Sequence, residues 1–291
     1  MRLRRFTLIF LLGTTCLSVA NAEKPRDYYS PENVRKFADF LYEQGDYLRA
    51  ASEYQRYLFY QPGESDQIHY QIGLCYRLGG KSEKAIRTFE TFLHTYSDSQ
   101  LIYSAHYQIG VAYFLTEQFQ QSVNYLDAAL PHITDLSSRT VSQELIGLSY
   151  LMQKRWLEAG KIFDGLQESE VAEVRENAAL YHNYAMRGTQ LPSRSPFLAG
   201  ILSTIVPGAG RLYTGRIGDA LTSLFTVGLT GWQAYDGFRR DGFSSAKGWG
   251  FGALSGIFYA GNIYGSVISA RMYNRHAADE FLGSLSIKLL Y

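Results

Sequence analysis

The feature that most constrains this chain is a five-residue segment that occurs twice at a fixed distance. The segment HYQIG begins at His69 and again at His106, 37 residues later, and Ile146-Gly147 follows after the same interval. A period in this range is typical of stacked-repeat proteins, in which each repeat buries its apolar face on its neighbours. Such folds mostly present binding surfaces to other proteins, so the repeat already favours binding over catalysis.

Each repeat unit predicts two helices joined by a short turn. The first helix has a small residue followed three positions later by a large one, which puts both on one helix face. The second helix has a small residue followed four positions later by a large one, so the helices can approach closely. The first-helix pairs are Ala38 and Leu41, Gly73 and Tyr76, Gly110 and Tyr113, and Gly147 and Tyr150. The second-helix pairs are Ala50 and Tyr54, Ala85 and Phe89, Ser122 and Leu126, and Ala159 and Phe163.

This small-and-large signature resembles the tetratricopeptide repeat family, whose unit is two antiparallel helices. The resemblance implies an all-α, helix-turn-helix repeat solenoid, which makes up a repeat domain over residues 23–190. A terminal unit must hide the last apolar face, and a further helix is predicted to do so. The predicted units lie near 33–64, 66–99, 103–134 and 140–168, with the capping helix over 171–187.

The resemblance also implies where a partner binds, because ligands of this family usually lie on the concave side, lined by the first helices. Tyrosine and arginine, which dominate binding energy in protein interfaces, are frequent at first-helix positions outside the small-and-large signature. The predicted partner-binding residues are Arg35, Asp39, Tyr42, Tyr70, Arg77, Tyr107 and Phe114. The open alternative is that some of these tyrosines only pack between neighbouring units.

The start of the chain and its charge bear on where it works and what it binds. Residues 1–22 combine three arginines, an apolar stretch and Ala20-Asn21-Ala22, a pattern typical of a secretory signal peptide. Lys plus Arg is 28 and Asp plus Glu is 27, so a net charge of +1 gives no electrostatic case for nucleic acid. We therefore expect an exported protein whose repeat domain lies in the periplasm.

After residue 190 charged residues become rare and glycine becomes frequent. Ile217 to Tyr235 and Gly248 to Ala270 are long and mostly apolar, which predicts a C-terminal transmembrane helical hairpin. Small residues recur along the second segment at the spacing by which membrane helices pack closely. The predicted packing glycines are Gly248, Gly252, Gly256, Gly261 and Gly265. A buried glycine-rich hairpin in a soluble domain is the alternative.

A glycine-rich stretch precedes the first long segment, and its key residues are Pro207, Gly208, Gly210, Tyr213 and Gly215. Together with Gly231-Trp232 and Asp236 downstream, it resembles a family of small bacterial membrane domains that follow repeat regions in envelope proteins. A tight turn at the membrane surface explains these glycines, and the change in composition predicts a glycine-rich membrane domain over 191–291, in the inner membrane by preference. The stretch lacks the Gly-Lys-Ser/Thr ending of a nucleotide-binding P-loop.

The sequence contains no recognisable catalytic motif. None of the six histidines belongs to a His-Glu-x-x-His motif or a close Cys/His pair, and no Gly-x-Ser-x-Gly is present. We therefore expect neither an enzyme nor a metal or cofactor site.

Two hypotheses for the function follow. In the first, the chain is an exported, membrane-anchored adaptor or scaffold of the bacterial cell envelope. Its repeats bind a protein or peptide partner, and its C-terminal helices contact a lipid bilayer. In the second, it is a membrane-embedded factor for envelope protein transport or assembly, with the C-terminal helices as the functional part. The two differ in whether the repeats alone retain the partner.

Overall fold

The computed structural model describes residues 29–61, 63 and 66–285. The predicted signal peptide over residues 1–22 lies outside the described residues. Within them the chain forms thirteen α-helices, two short 3₁₀ turns and no strand, so the predicted all-α fold is confirmed. By packing, the chain divides into two compact units, residues 1–64 and 65–291.

The first unit contains one helix pair. Helices α1 (Pro31–Glu43) and α2 (Tyr47–Tyr60) pack on each other, and the turn between them places Gly45 at φ 77°. Ala38 and Tyr54 are both buried, as expected for the small and large residues of a repeat.

The second unit continues the repeat with three more helix pairs and a closing helix. The pairs are α3 (Asp66–Leu78) with α4 (Ser82–Thr95), α5 (Ile102–Leu115) with α6 (Phe119–Ala129), and α7 (Leu136–Met152) with α8 (Trp156–Leu166). A 3₁₀ turn, Leu130–His132, follows α6. Helix α9 (Ala172–Thr189) packs on α8, where the sequence predicts the capping helix. The helical repeat solenoid is thus confirmed.

The small-and-large signature has a steric cause. A Cβ atom added at Gly73 would lie 2.6 Å from the ring of Phe89, and one at Gly147 would lie 2.7 Å from the ring of Phe163. Real Cβ contacts are longer than this, so the glycine of the first helix admits the ring of the second. The same geometry recurs in successive units because the register of the sequence repeat is kept.

The turn between the two helices of a unit uses a left-handed residue. Gly80 has φ 71°, and its equivalents 37 and 74 residues later, Glu117 and Lys154, have φ 60° and 62°. A side chain in this conformation is strained, whereas glycine is not. The last two units therefore keep the turn geometry at an energetic cost that the first two avoid.

The C-terminal part of the second unit is a helical hairpin with two shorter helices packed beside it. Its elements are α10 (Pro196–Ile205), α11 (Ala209–Tyr213), α12 (Ile217–Asp241), the 3₁₀ turn Gly242–Ser244 and α13 (Ala246–Gly283). Helix α13 packs along both α10 and α12, and α11 lies between them. The predicted boundary near residue 190 falls inside the second compact unit.

The predicted transmembrane hairpin requires a correction. Nowhere in the part of the chain that the structure describes is a helix both long and apolar enough to cross a bilayer. The two long segments do form a hairpin, α12 and α13, but hydroxyl and amide side chains interrupt their apolar sequence. These polar residues are Thr222, Ser223, Thr226 and Thr230 in α12, and Ser255, Asn262, Ser266 and Ser269 in α13.

The C-terminal end of α13 covers the last repeat helices. Phe281 stacks on Tyr184 of α9, with ring centroids 4.1 Å apart, and meets Trp156 of α8 edge-on at 5.8 Å. The Tyr184 hydroxyl donates a hydrogen bond to the carbonyl oxygen of Phe281. Lys154 Nζ also lies 2.6 Å from Asp279 Oδ1. The capping helix α9 is therefore itself capped by the end of α13.

Candidate partner-binding site

Three of the predicted binding residues form one stripe on α1. Arg35, Asp39 and Tyr42 follow the i, i+4, i+7 spacing of a helix face, and each is partly exposed. The hydroxyl of Tyr54 on α2 donates a hydrogen bond to Asp39 Oδ1 at 2.6 Å, and the Arg35 guanidinium lies 6.0 Å from the Tyr57 ring centroid. Helix α2 therefore orients these side chains while part of each stays accessible.

The two predicted residues on α3 differ in accessibility. Tyr70 is partly exposed and packs on Phe89 and Phe92 of α4, at centroid distances of 5.5 and 5.9 Å. Arg77, two turns further along α3, is only 5% exposed. Tyr70 can contact a partner through the exposed part of its side chain, whereas Arg77 has little surface to offer.

The two predicted residues on α5 lie in the protein core. Tyr107 and Phe114 are each 8% exposed and belong to a hydrophobic cluster that includes residues of α7 and α9. Phe114 also packs edge-on against Phe119, with centroids 5.2 Å apart. For these two, the structure shows the inter-unit packing that the sequence left open as an alternative.

The repeat register identifies a residue that the sequence prediction missed. Glu144 stands 37 residues after Tyr107 and so takes the place of Tyr70 and Tyr107 in the next unit. It is 3% exposed, and the Asn177 amide on α9 donates a hydrogen bond to its Oε1 at 3.0 Å. Burial raises the pKa of Glu144 to about 7, against the opposing effect of the Asn177 hydrogen bond. The repeat position that is tyrosine in two successive units, at Tyr70 and Tyr107, is thus a buried carboxyl group in the next unit.

The histidines of the repeated segment share one structural role. The Tyr96 hydroxyl lies 2.8 Å from His69 Nδ1, and the Tyr125 hydroxyl lies 2.9 Å from His106 Nδ1. Burial lowers the pKa of His106. Neither histidine joins a cluster of potential metal ligands, and no such group of three occurs among the described residues.

In the C-terminal helices the buried residues are small or polar and the large apolar residues are exposed, the reverse of the usual arrangement in a water-soluble protein. Every buried apolar residue in the described part of α10 to α13 is an alanine, and the other buried residues there are glycine, serine, threonine and asparagine. Large apolar side chains instead lie on the outside. The most exposed of them are Phe197, Ile205, Ile217, Phe225, Leu229, Trp232, Phe243, Trp249, Ile257 and Tyr264.

Hydrogen bonds hold this polar interior together. Ser203 and Ser266 bond to each other through their hydroxyls at 2.6 Å. The Asn262 side chain accepts a hydrogen bond from the Gly208 N–H at 2.9 Å and donates one to the Ser203 carbonyl oxygen at 3.1 Å. The buried polar side chains of α10 and α13 are therefore satisfied by one another and by the backbone of the glycine-rich turn.

The predicted glycine-rich turn is closely packed. Gly208 has φ 88°, and a Cβ atom there would collide with the carbonyl oxygen of Ala220. Gly215 also has a positive φ, of 82°. Tyr213 accepts a hydrogen bond from the Ser195 N–H at 3.2 Å. The remaining members of the predicted set are Pro207, which is partly buried, and Gly210, where a Cβ would collide with the Ala199 carbonyl.

The predicted packing ladder on α13 is only partly formed. A Cβ atom at Gly248 would lie 2.6 Å from the Phe238 ring, and one at Gly265 would collide with the Arg211 guanidinium. Gly252 makes only ordinary contacts. A Cβ atom at Gly256 or Gly261 would meet nothing within 4 Å, so neither makes a close contact within the described residues, and their role in membrane-helix packing stays a prediction. Close approach occurs near the two ends of the ladder and not along its middle.

Comparison with known proteins finds a family match for one of the helix pairs, α3 with α4. Residues 68–99 match the tetratricopeptide repeat family. The matched segment contains nearly all of α3 and the whole of α4. The chain therefore contains a tetratricopeptide repeat, and in it the predicted binding residues are Tyr70 and Arg77.

Other comparisons are more distant. Two crystal structures of nearly identical TPR-like repeats, from a Podosopora anserina protein assigned as a kinesin light chain, resemble the chain with TM-scores of 0.44 and 0.43. Both are 14% identical to it, and each comparison covers 57% of this chain and 90% of the other. No curated protein matches the chain significantly.

Proposed function

We propose that this chain is a non-enzymatic adaptor of the bacterial envelope. Its helical repeats bind a protein or peptide partner, and its C-terminal helices contact a lipid bilayer. The observation that carries the first part is the tetratricopeptide repeat at residues 68–99, because helical repeats of this kind present extended binding surfaces. The signal peptide predicted from the sequence supports export, with the repeats in the periplasm.

The partner contacts that we propose use the accessible members of the predicted set, with those on α1 and the one on α3 each taken on its own compact unit. Arg35, Asp39, Tyr42 and Tyr70 all combine partial exposure with contacts that fix their side chains. A side chain that is held in place loses little entropy when a partner binds, so such residues suit an interface. Arg77, Tyr107 and Phe114 are buried and are not among the proposed contacts.

Lipid contact is proposed for the C-terminal helices because of their inverted burial. In lipid, helices associate through small residues and interhelical hydrogen bonds, since the lipid tails already solvate large apolar side chains. The interior of α10 to α13 has this composition, and its outside carries the apolar residues. Exposed apolar residues of this kind, where they form a contiguous patch, mark a membrane or protein interaction site.

The partner-binding proposal is tested by substituting accessible residues only. Tyr42→Ala combined with Tyr70→Ala should reduce the recovery of crosslinked partner from envelope membranes more than about tenfold, because two interface anchors are lost. A matched control, Leu136→Ala with Leu157→Ala, removes two exposed residues outside the predicted set and should leave recovery unchanged. Equal recovery of the crosslinked partner from both variants would contradict the proposed contacts of Tyr42 and Tyr70. Substitution of Tyr107 or Phe114 is avoided, because loss of core packing would confound the result.

A further inference from the structure

A cleft between α12 and α13 contains an arginine that pairs with no carboxylate among the described residues. The cleft has a volume of about 440 Å³. Its lining includes Arg211, from the short helix α11, together with Thr222, Thr226, Val227, Ile257 and Phe258. Among the described residues that line the cleft, Arg211 alone is charged. The cleft therefore combines a positive charge with hydroxyl and apolar groups.

The position of Arg211 depends on a glycine. Its guanidinium passes so close to Gly265 of α13 that a Cβ atom at that position would collide with Nη2. Gly265 thus makes room for the cation beside the long helix. This contact gives a packing reason for one of the glycines that the sequence assigns to helix packing.

The N–H groups of the Arg211 guanidinium donate few hydrogen bonds to the described residues. Within the described residues, its recorded acceptor is the backbone carbonyl oxygen of Asp219, at the long distance of 3.5 Å from Nη1. The Asp219 carboxylate instead pairs with Arg216, at 2.5 Å. Because a guanidinium has five N–H donors, Arg211 can still bind an oxyanion through two parallel hydrogen bonds.

The rest of the cleft indicates what the anion is attached to. Thr222 and Thr226 donate their hydroxyl hydrogens to carbonyl oxygens of α12, at 2.9 and 2.7 Å. Their oxygens therefore remain acceptors for hydroxyl groups of a ligand, while Val227, Ile257 and Phe258 suit an apolar chain. A phosphate ester of a polyol that also carries an apolar chain would match all three surfaces.

We infer that this cleft binds a phosphate group through Arg211. The phosphate could be that of an anionic lipid headgroup or free phosphate, and the lipid source rests on the lipid contact proposed above. Thr222 and Thr226 would receive hydroxyl groups next to the phosphate. Gly265 is needed because any larger residue would push the guanidinium out of place.

The test uses the full-length protein and three probes: inorganic phosphate, phosphatidylcholine vesicles, and the same vesicles containing phosphatidylglycerol. Arg211→Gln should weaken binding of inorganic phosphate, or of the phosphatidylglycerol-containing vesicles, about tenfold, because a charge-assisted hydrogen-bonded pair is lost. Arg239→Gln makes the same charge change at an exposed site elsewhere on α12 and serves as the control. Gly265→Ala should weaken binding while leaving the charge intact. Circular dichroism checks that each variant is folded.

The outcomes separate the site from the proposed lipid contact. Arg211-dependent binding of inorganic phosphate supports the site with free phosphate as a ligand. Arg211-dependent binding of anionic vesicles alone supports the site with a lipid headgroup as the ligand. If Arg211→Gln and Arg239→Gln behave alike, the site is overturned, although vesicle binding by both would leave the lipid contact standing. If the wild-type protein binds no vesicle but still binds phosphate through Arg211, the lipid contact fails and the site survives.

Discussion

At the scale of single residues, the glycines where the two helices of a unit cross leave no room for a side chain. A Cβ atom at Gly147 would lie 2.7 Å from the Phe163 ring. We expect Gly147→Ala to destabilise the protein by about 1–3 kcal/mol, the usual cost of overpacking a core. Gly165→Ala is the matched control, because it lies in α8 with open space around it.

Chemical denaturation measures both variants. Gly165→Ala should be neutral or stabilising by up to about 1 kcal/mol, since alanine loses less entropy than glycine in a helix. Similar destabilisation of both variants would show that the Gly147 contact with Phe163 is not what the signature encodes.

Glu144 makes stability depend on pH. Its folded-state pKa is raised to about 7 from an ordinary value of 4.5, chiefly by burial. The folded state therefore holds the proton more tightly than the unfolded chain. The stabilising contribution of Glu144 is complete below the unfolded pKa and is lost as pH rises through the folded pKa.

Glu144→Gln tests this dependence, because glutamine keeps an acceptor for Asn177 without the charge. The variant should match the wild type near pH 4 and exceed its stability near pH 8, by roughly 3 kcal/mol at most. Thermal melting at both pH values measures the difference. A stability difference between variant and wild type that does not change with pH would contradict the account.

The sequence could predict the residues that contact each other inside a unit, because these contacts recur at a constant spacing. Gly73 with Phe89 and Gly147 with Phe163 are examples. It could not separate accessible from buried members of the first-helix set. Tyr70 and Tyr107 are repeat-equivalent, yet only Tyr107 is covered, because α5 has repeat helices on both sides in the second unit.

At the scale of helices, the contact between the end of α13 and the repeats is the least predictable feature. Phe281 and Tyr184 are 97 residues apart, and no periodic pattern connects them. The sequence predicted a capping helix, and α9 takes that place. It gave no sign that α9 would in turn be covered by Phe281, Leu282 and Leu285.

Phe281→Ala tests how much this cover contributes. The substitution removes a partly buried ring that stacks on Tyr184 and meets Trp156, so it should cost less than the about 3–5 kcal/mol of a fully buried phenylalanine. Hydrogen exchange should rise in α8 and α9. Phe243→Ala, at a ring that is 86% exposed, is the control and should leave exchange there unchanged. Unchanged exchange in the Phe281 variant would show that the repeats close without α13.

The C-terminal hairpin shows why reading apolar length alone misleads. Two long apolar segments predicted spanning helices, whereas none of the described helices qualifies. The sequence lists which residues are present, but not that Ser203, Asn262 and Ser266 would meet inside while Phe225 and Ile257 lie outside. That arrangement depends on how α10 packs against α13 across about sixty residues of chain, as the Ser203–Ser266 hydrogen bond shows.

At the scale of the whole molecule, the repeats and the C-terminal helices expose different kinds of side chain. The repeats carry partly exposed, well-held aromatic and charged residues, including Tyr42 and Tyr70. The C-terminal helices carry an apolar exterior over a polar, hydrogen-bonded interior. The central claim is that the second surface contacts lipid acyl chains and leaves the repeats free for a protein partner.

The three tryptophans of the chain allow a direct test. Trp232 on α12 and Trp249 on α13 are 64% and 61% exposed. Trp156, on the repeat helix α8, instead packs against Phe281 of α13. Vesicles of brominated phosphatidylcholine quench tryptophan fluorescence only where an indole touches the acyl chains. The Trp156→Phe variant, which keeps Trp232 and Trp249, should be strongly quenched, and the Trp232→Phe/Trp249→Phe variant should not. Absence of quenching in the first variant, or equal quenching in both, would contradict the central claim.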